Sequence, residues 1–441
     1  MLRVASLARQ ARLLPFGHPY DLVQCMGHPL LLVQLLVIIV ASRAIAAVAR
    51  RFGQPAVVGE MLAGLALGPL VFGAMAPQWQ RQLFPPESLG QLQSLSTVGL
   101  VLFMVVVGAE LRVPAHARGG LLRPAAWIGA LAVVLPVLLA LGAAPWLYGS
   151  YAPPGISRLA FTLFFATACA ITALPVMARI VKERDMIDSV PGRLGIAAAA
   201  VVDVMAWVAL AFIVALISAH GDWKPFWRTM IGLAILLFLT WFVLRPLCAR
   251  LLARHAPDGN ADTAVLAFLL AGGFGCAAIT EWLNLHAVFG AFLFGACLPR
   301  DDRLLHRLIE RVEHVTIATL LPVFFVLAGL STSADLLTGS AGMALLLVLA
   351  VSVIGKLVGG TAGARIAGQN WRDSLAIGSL MNARGMMELI VIKVGLDAGV
   401  INSAMFTILL VMAIVTTMMT TPMVAMFYRS NRGDPASVLP G

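Results

Sequence analysis

Ionisable residues are what this sequence lacks most. Only 12% of its 441 residues are Asp, Glu, Lys or Arg, where a soluble protein carries about a quarter. That is too little ionic surface for two or three water-exposed domains, so a soluble enzyme is excluded. The five cysteines contain neither a CxxC pair nor a Cys/His metal spacing, which speaks against zinc or dithiol chemistry and leaves them as small buried hydrophobes. Also missing is a basic patch. The net charge of +10 is spread singly or in small groups between apolar blocks, unlike the run or face with which a protein grips nucleic acid. No nucleophile pair, phosphate-binding loop or metal cluster is visible, so the chain does not read as an enzyme and no cofactor is expected.

What is abundant is apolar length. Hydrophobic residues make up 60% of the chain, and stretches near the roughly 20 residues that a spanning helix needs recur to its end. They predict an all-α polytopic membrane protein with thirteen transmembrane helices, at 29–49, 55–75, 91–111, 124–147, 159–179, 193–217, 226–247, 262–281, 284–299, 314–334, 341–364, 374–396 and 402–427. The break around Asn284 is the slightest of the separations. The domain plan is an N-terminal tail (1–28), a transmembrane domain (29–427) and a short cytoplasmic tail (428–441).

Cytoplasmic loops hold an excess of Lys and Arg. Alternate loops carry twenty of them, from Arg50 and Arg51 through Arg112, Arg118, Arg300, Arg303, Arg307 and Arg311 to Arg429 and Arg432. The opposite loops carry five: Arg81, Arg158, Lys224, Arg228 and Lys393. This bias supports the helix count and places the C-terminus in the cytoplasm. The N-terminal tail, with Arg3, Arg9 and Arg12, is the discordant piece, and it lacks the apolar core of a signal peptide.

The chain also repeats itself. Phe103 and Gly108 in the third span match Phe324 and Gly329 in the tenth, and Ala66-Leu67-Gly68-Pro69 closes the second span as Ala296-Cys297-Leu298-Pro299 closes the ninth. An offset of seven spans is odd, so paired helices cross the membrane in opposite directions. Such inverted repeats are typical of secondary transporters, which bind cargo near the midplane where helices are interrupted.

Two spans look interrupted. The fifth holds Thr172-Ala173-Leu174-Pro175 at its centre, and Pro175 can neither donate its helix hydrogen bond nor avoid the carbonyl one turn earlier. Its repeat partner, the twelfth, holds Asn382-Ala383-Arg384-Gly385, where Gly385 permits non-helical torsions. Paired breaks free carbonyls and amides around Thr172 and Asn382 to meet an ion; two simple kinks are the alternative.

Ionisable residues inside a membrane are functional candidates by default. Asp203 lies in mid-span with no other acid within ten residues, and Lys356 lies in mid-span between glycines. Asp203 is the candidate cation and proton site, or else a carboxylate locked to a base; Lys356 reads as its counter-ion. Arg384 and Glu388, four apart on one helix face, read as an internal salt bridge that would survive exchange of the two residues. Glu60 reads as a helix-end residue and His286 carries no specific signal. Gly64 and Gly68, like Gly355 and Gly359, mean close helix packing.

The segments Phe52-Gly53-Gln54-Pro55-Ala56-Val57-Val58-Gly59-Glu60, Thr172 to Ile180, Pro322-Val323-Phe324-Phe325 and Met381 to Leu389 resemble the monovalent cation:proton antiporter-2 family of Kef-type, bacterial sodium/proton and plant cation/proton exchangers. The resemblance covers nearly the whole chain. It implies a dimerisation domain and a six-helix core with two broken helices crossing, Asp203 as the ion-binding aspartate and Lys356 as the core lysine opposite it. Two departures stand out. Val202 occupies a position where relatives often carry Asp, Asn or Gln. The chain also ends soon after its last helix, so the nucleotide-binding domain of Kef-type relatives is expected to be absent.

The reading that follows is an inner-membrane homodimeric antiporter exchanging Na+ or K+ for H+ by alternating access, with Asp203 holding either ion but not both. With Val202 unable to titrate, one proton per cation is expected, hence electroneutral exchange. Competing readings are a channel or membrane sensor on the same scaffold and a symporter for a small organic anion.

Overall fold

The computed structural model describes residues 19–110, 121–187, 189–218, 223–255, 263–283, 287–298, 312–333 and 339–428, with no strand among them. In chain order the helices are α1 (Pro19–Arg51), α2 (Ala56–Leu67), α3 (Phe72–Met75), α4 (Pro77–Leu83), α5 (Pro86–Glu110), α6 (Leu122–Tyr151), α7 (Arg158–Ala170), α8 (Leu174–Glu183) and α9 (Val190–Ser218). There follow α10 (Trp223–Leu239), α11 (Arg245–His255), α12 (Thr263–Trp282), α13 (Ala287–Cys297), α14 (Leu321–Leu330), α15 (Gly339–Ile366), α16 (Trp371–Leu380), α17 (Met386–Asp397) and α18 (Ser403–Phe427). A π-helical turn at Thr240–Leu244 joins α10 to α11, and another at Thr316–Leu320 leads into α14.

Among the described residues, ten helices are long and apolar enough to cross a membrane. The other three predicted spans coincide with the 11-residue α13 and with the interrupted pairs α7–α8 and α16–α17, so thirteen is reached when each of these is taken as a crossing. Helix α1 starts at Pro19, which puts the expected tail boundary at 29 inside a helix. The segments 1–18 and 429–441, the arginines at 112, 118, 300, 303, 307 and 311, Asn284 and His286 lie outside the described residues.

In lipid a helix satisfies its own backbone except at its ends, and three core helices are capped there by side chains. Ser157 accepts the Ala160 N–H at 3.2 Å to start α7, Asn370 accepts Asp373 at 2.8 Å to start α16, and Asn402 accepts Met405 at 2.9 Å to start α18. Each cap fixes where a core helix begins.

The helix packing carries the repeat. Gly108 of α5 meets α13, its Cβ position 3.0 Å from Gly295 Cα, while Gly329 of α14 meets α2, 2.9 Å from Leu65 N. The pairs α2/α13 and α5/α14 are those the seven-span offset relates, so each crossing is the image of the other. The same exchange relates α1–α2 packing to α12–α13, α6–α7 to α15–α16, and α7–α9 to α16–α18. Helices α6 and α15, repeat partners themselves, cross face to face. A Cβ at Gly355 would stand 2.8 Å from Pro136 Cα, and one at Gly363 would stand 2.6 Å from Ile128 Cα. Helices α6–α9 and α15–α18 thus form one six-helix unit around the two interrupted pairs; α1, α2, α5 and α12–α14 form the second, and α10–α11 connects them.

The α6–α15 seam predicts a stability effect. Leucine at Gly359, which abuts Leu131 and Ala132, should overpack the crossing and cost about 1–3 kcal/mol. A lower melting temperature of the detergent-solubilised protein is the expected result, and an unchanged one would mean that the seam yields without strain.

Candidate functional site

The two interruptions fall at residues 171–173, between α7 and α8, and 381–385, between α16 and α17. Pro175 does not make the first break. It occupies the first turn of α8, where a missing N–H leaves no bond unmade, and the chain has already left the helix at Ile171, with φ −67° and ψ 144°. Gly385 is extended, at φ 169° and ψ −139°, so torsional freedom does not explain it. Its Cβ position collides with Val176 Cγ2 and lies 3.8 Å from Ala173 Cβ: the glycine lets the two breaks touch.

They are also hydrogen-bonded. The Ala173 N–H donates to Ala383 O at 3.0 Å, and Thr172 Oγ1 donates to Met381 O at 3.0 Å. Two short extended segments therefore pair across the core, each partly satisfying the other's freed backbone.

The carbonyls at the end of α7 are satisfied by cations. Arg384 donates to Ala168 O at 2.8 Å and to Cys169 O at 2.6 Å. Lys356 donates to Ala170 O and, at 2.6 Å, to Thr172 Oγ1. Positive charge there also suits the negative end of the α7 dipole. The sequence-based expectation that these carbonyls are open to an ion is thereby replaced, and Thr172 keeps one lone pair. Arg384 also pairs with Glu388 at 2.7 Å, both fully buried, so the expected salt bridge exists within a larger set of bonds.

Asp203, on α9, is 2% exposed, and Asn382 is fully buried. The Asp203 carboxylate takes the N–H of Leu174, the residue that opens α8, and lies within electrostatic reach of Lys356. No ion pair joins it to Lys356 among the described residues. Its Oδ2 has no hydrogen-bond partner, and neither has Asn382 Oδ1. The Asn382 amide nitrogen is turned the other way, donating to Thr416 O at 3.2 Å. The core around the crossing therefore holds buried, unpartnered oxygen acceptors, Asp203 Oδ2 and Asn382 Oδ1 together with Glu388 Oε2, beside its paired cations. Buried acceptors are ordinarily satisfied, and hard monovalent cations take oxygen ligands.

Two features escaped the sequence reading. Glu60 is no helix-end residue: it is 3% exposed and pairs at 3.3 Å with Arg43 of α1, whose other nitrogen donates at 2.6 Å to Ile317 O in the π-helical turn before α14. Thr417 of α18 bonds the backbone of Arg384. Its only sequence signal was the clustering of Thr416, Thr417, Thr420 and Thr421 in an apolar helix.

An inverted repeat with paired broken helices at its centre is the architecture of a secondary transporter of the membrane. Residues 36–428 match the family model described as the transmembrane sodium/hydrogen exchanger, and the chain belongs to that family of monovalent cation:proton antiporters. It is 35% identical, over 92% of its length, to Cation/H(+) antiporter 17 of Arabidopsis thaliana, and spans about half (49%) of that relative. It is 34% identical to the Na(+)/H(+) antiporter NhaS4 of Synechocystis over 90% of this chain and 97% of that one. In fold it is similar to the sodium proton antiporter MjNhaP1 of Methanocaldococcus jannaschii, with a TM-score of 0.66, 13% identity and coverage of 91% and 98% of the two chains.

The dual role of Arg384 predicts that exchanging Arg384 and Glu388 will not restore stability, because the exchange moves the cation a full turn from Ala168 and Cys169. Arg384→Ala alone should cost about 3–5 kcal/mol by leaving a buried carboxylate unpaired. Thermal melting of the single and exchanged variants is the check, and recovery in the exchanged form would reduce Arg384 to a partner of Glu388 alone.

Proposed function

We propose that the protein exchanges Na+ or K+ for H+ across the cell's inner membrane by alternating access, as a homodimer with its C-terminus in the cytoplasm, and that Asp203 is the shared site. The carrying observation is the unpartnered Asp203 Oδ2 at the crossing of the broken helices. A carboxylate there is either protonated or neutralised by a cation, and this exclusion is the coupling. The cation takes Asp203 Oδ2 and Asn382 Oδ1, with Thr172 offering its remaining lone pair. Lys356 and Arg384, bound to the carbonyls of α7, hold the broken helix in shape while the occupant changes. The named relatives support cation-for-proton exchange and leave the choice between Na+ and K+ to measurement.

In proteoliposomes with an internal pH dye, addition of Na+, K+ or Li+ should drive proton movement with at least one cation, and Asp203→Asn should abolish it while insertion is kept. Retained exchange in the Asn variant would remove Asp203 from the mechanism. Because the two ions compete for one carboxylate, the cation concentration for half-maximal exchange should rise as pH falls.

Val202 is fully buried beside Asp203 and cannot titrate, so one proton is released per cation and exchange is electroneutral. An imposed membrane potential should then leave the rate unchanged, whereas one net charge per cycle would gain about 2.3 kcal/mol per 100 mV. Strong voltage dependence would reject one-for-one exchange and direct attention to Lys356 as a second proton carrier.

A further inference from the structure

The two halves hold their broken helices by the same bond made with different chemistry. In the first half, Asp203 of α9 accepts the N–H of Leu174, directly after the break. In the second half, Thr417 of α18 accepts the N–H of Arg384, inside the break, at 3.1 Å. Helices α9 and α18 are the sixth and thirteenth spans, related by the seven-span offset. The Thr417 hydroxyl has one proton, which it places on Arg384 O at 2.8 Å or Ala413 O at 2.7 Å. When that proton lies on Arg384 O, one oxygen holds both backbone groups of Arg384, and the peptide planes around it are set.

From there the path to Asp203 is short. Arg384 follows Ala383, whose carbonyl accepts the Ala173 N–H at 3.0 Å, and Ala173 precedes Leu174, whose N–H meets Asp203. The same segment carries Asn382, tied to α18 through Thr416 O with its Oδ1 left open. Thr417 is fully buried, so water is not at hand to replace its hydroxyl.

We propose that Thr417 is a positioning residue for the ion site: a non-titrating anchor that fixes the second broken helix and, through the Ala383–Ala173 hydrogen bond, sets the backbone N–H that Asp203 uses. One half is held by a group that changes charge with its occupant and the other by a group that cannot. The crossing therefore has a fixed side against which the Asp203 side adjusts. Lys356 of α15 is the charged group that acts on Asp203; Arg384 in the second break and Glu388 of α17 act in turn on Lys356. Among the described residues none of the three hydrogen-bonds Thr417 through its side chain.

The inference deepens the reading of Asp203 as the shared site, and its test has one readout that needs transport and one that does not. In proteoliposomes, Thr417→Val should raise the half-maximal cation concentration about tenfold or more, as expected for loss of a buried hydrogen bond, with Thr417→Ser restoring it to within about twofold. Independently, purified protein is treated with dicyclohexylcarbodiimide across a pH series, and modification of the Asp203 peptide is followed by mass spectrometry. Here Thr417→Val should move the labelling midpoint by about half a pH unit or more, and Thr417→Ser should not. Thr421→Val serves as control, because the Thr421 hydroxyl has no partner, and it should behave as the wild type in both assays.

If the wild type exchanges ions and Thr417→Val leaves both readouts unchanged, the positioning role is overturned while the shared-site reading stands. If the wild type fails to exchange, that reading falls and the labelling midpoint alone decides the role of Thr417. An equal shift in Thr421→Val would overturn the assignment to Thr417. Should the valine variant not insert, Thr417→Cys, a weaker hydrogen bonder of similar size, takes its place, and wild-type behaviour there counts against the proposal.

Discussion

Breaking a helix inside a membrane exposes backbone groups that no water will satisfy, and the core is arranged around that constraint. The last carbonyls of α7 could not remain bare next to apolar neighbours, so Lys356 of α15 and Arg384 of the second break are drawn onto them. Those bonds lock α7 to α15 and to the break between α16 and α17. The extended segments then satisfy each other through Ala173 and Ala383, which requires the close approach that Gly385 permits. Among the buried side-chain atoms of the core left without a partner are Asp203 Oδ2, Asn382 Oδ1 and Glu388 Oε2, oxygens of the kind a hard cation takes. The site is thus the residue of a backbone problem solved elsewhere.

The repeat explains why the architecture is nearly two-fold while the chemistry is not. Helix packing is exchanged pair for pair between the halves, down to the glycine crossings at Gly108 and Gly329. Polar groups break the symmetry: Asp203 sits on α9 where Thr417 serves on α18, and Lys356 of α15 has no lysine counterpart on α6. The scaffold is thus symmetric where helices pack and asymmetric where the buried polar groups sit. Outside the core, the Arg43–Glu60 pair joins α1 to α2 and, through Ile317 O, to the turn before α14. An ion pair with one buried partner, Glu60, therefore ties the second unit as well.

The scarcity of charge, the apolar lengths and the seven-span offset were enough to yield the membrane class, the repeat and the two interrupted helices, because lipid allows few backbone solutions and each leaves a compositional trace. Asp203, Lys356, Arg384 and Glu388 were legible for a related reason: an ionisable side chain in an apolar run is conspicuous. Bonding partners were not legible. Pro175 marks the neighbourhood of a break that the chain makes four residues earlier, Gly385 is needed for space and not for torsion, and Glu60 looked terminal because its partner Arg43 is on a different helix. Thr417 was hidden among ordinary threonines. Sequence alone determined which groups had to be reckoned with in the low-dielectric interior, since that cost follows from residue type and span position. Only the tertiary structure decided which of them satisfy one another, because hydrogen bonds at 2.6 to 3.3 Å join residues more than two hundred positions apart as readily as neighbours. From that pairing alone came the bond of Lys356 to the end of α7 and the unpartnered state of Asp203 Oδ2 and Asn382 Oδ1.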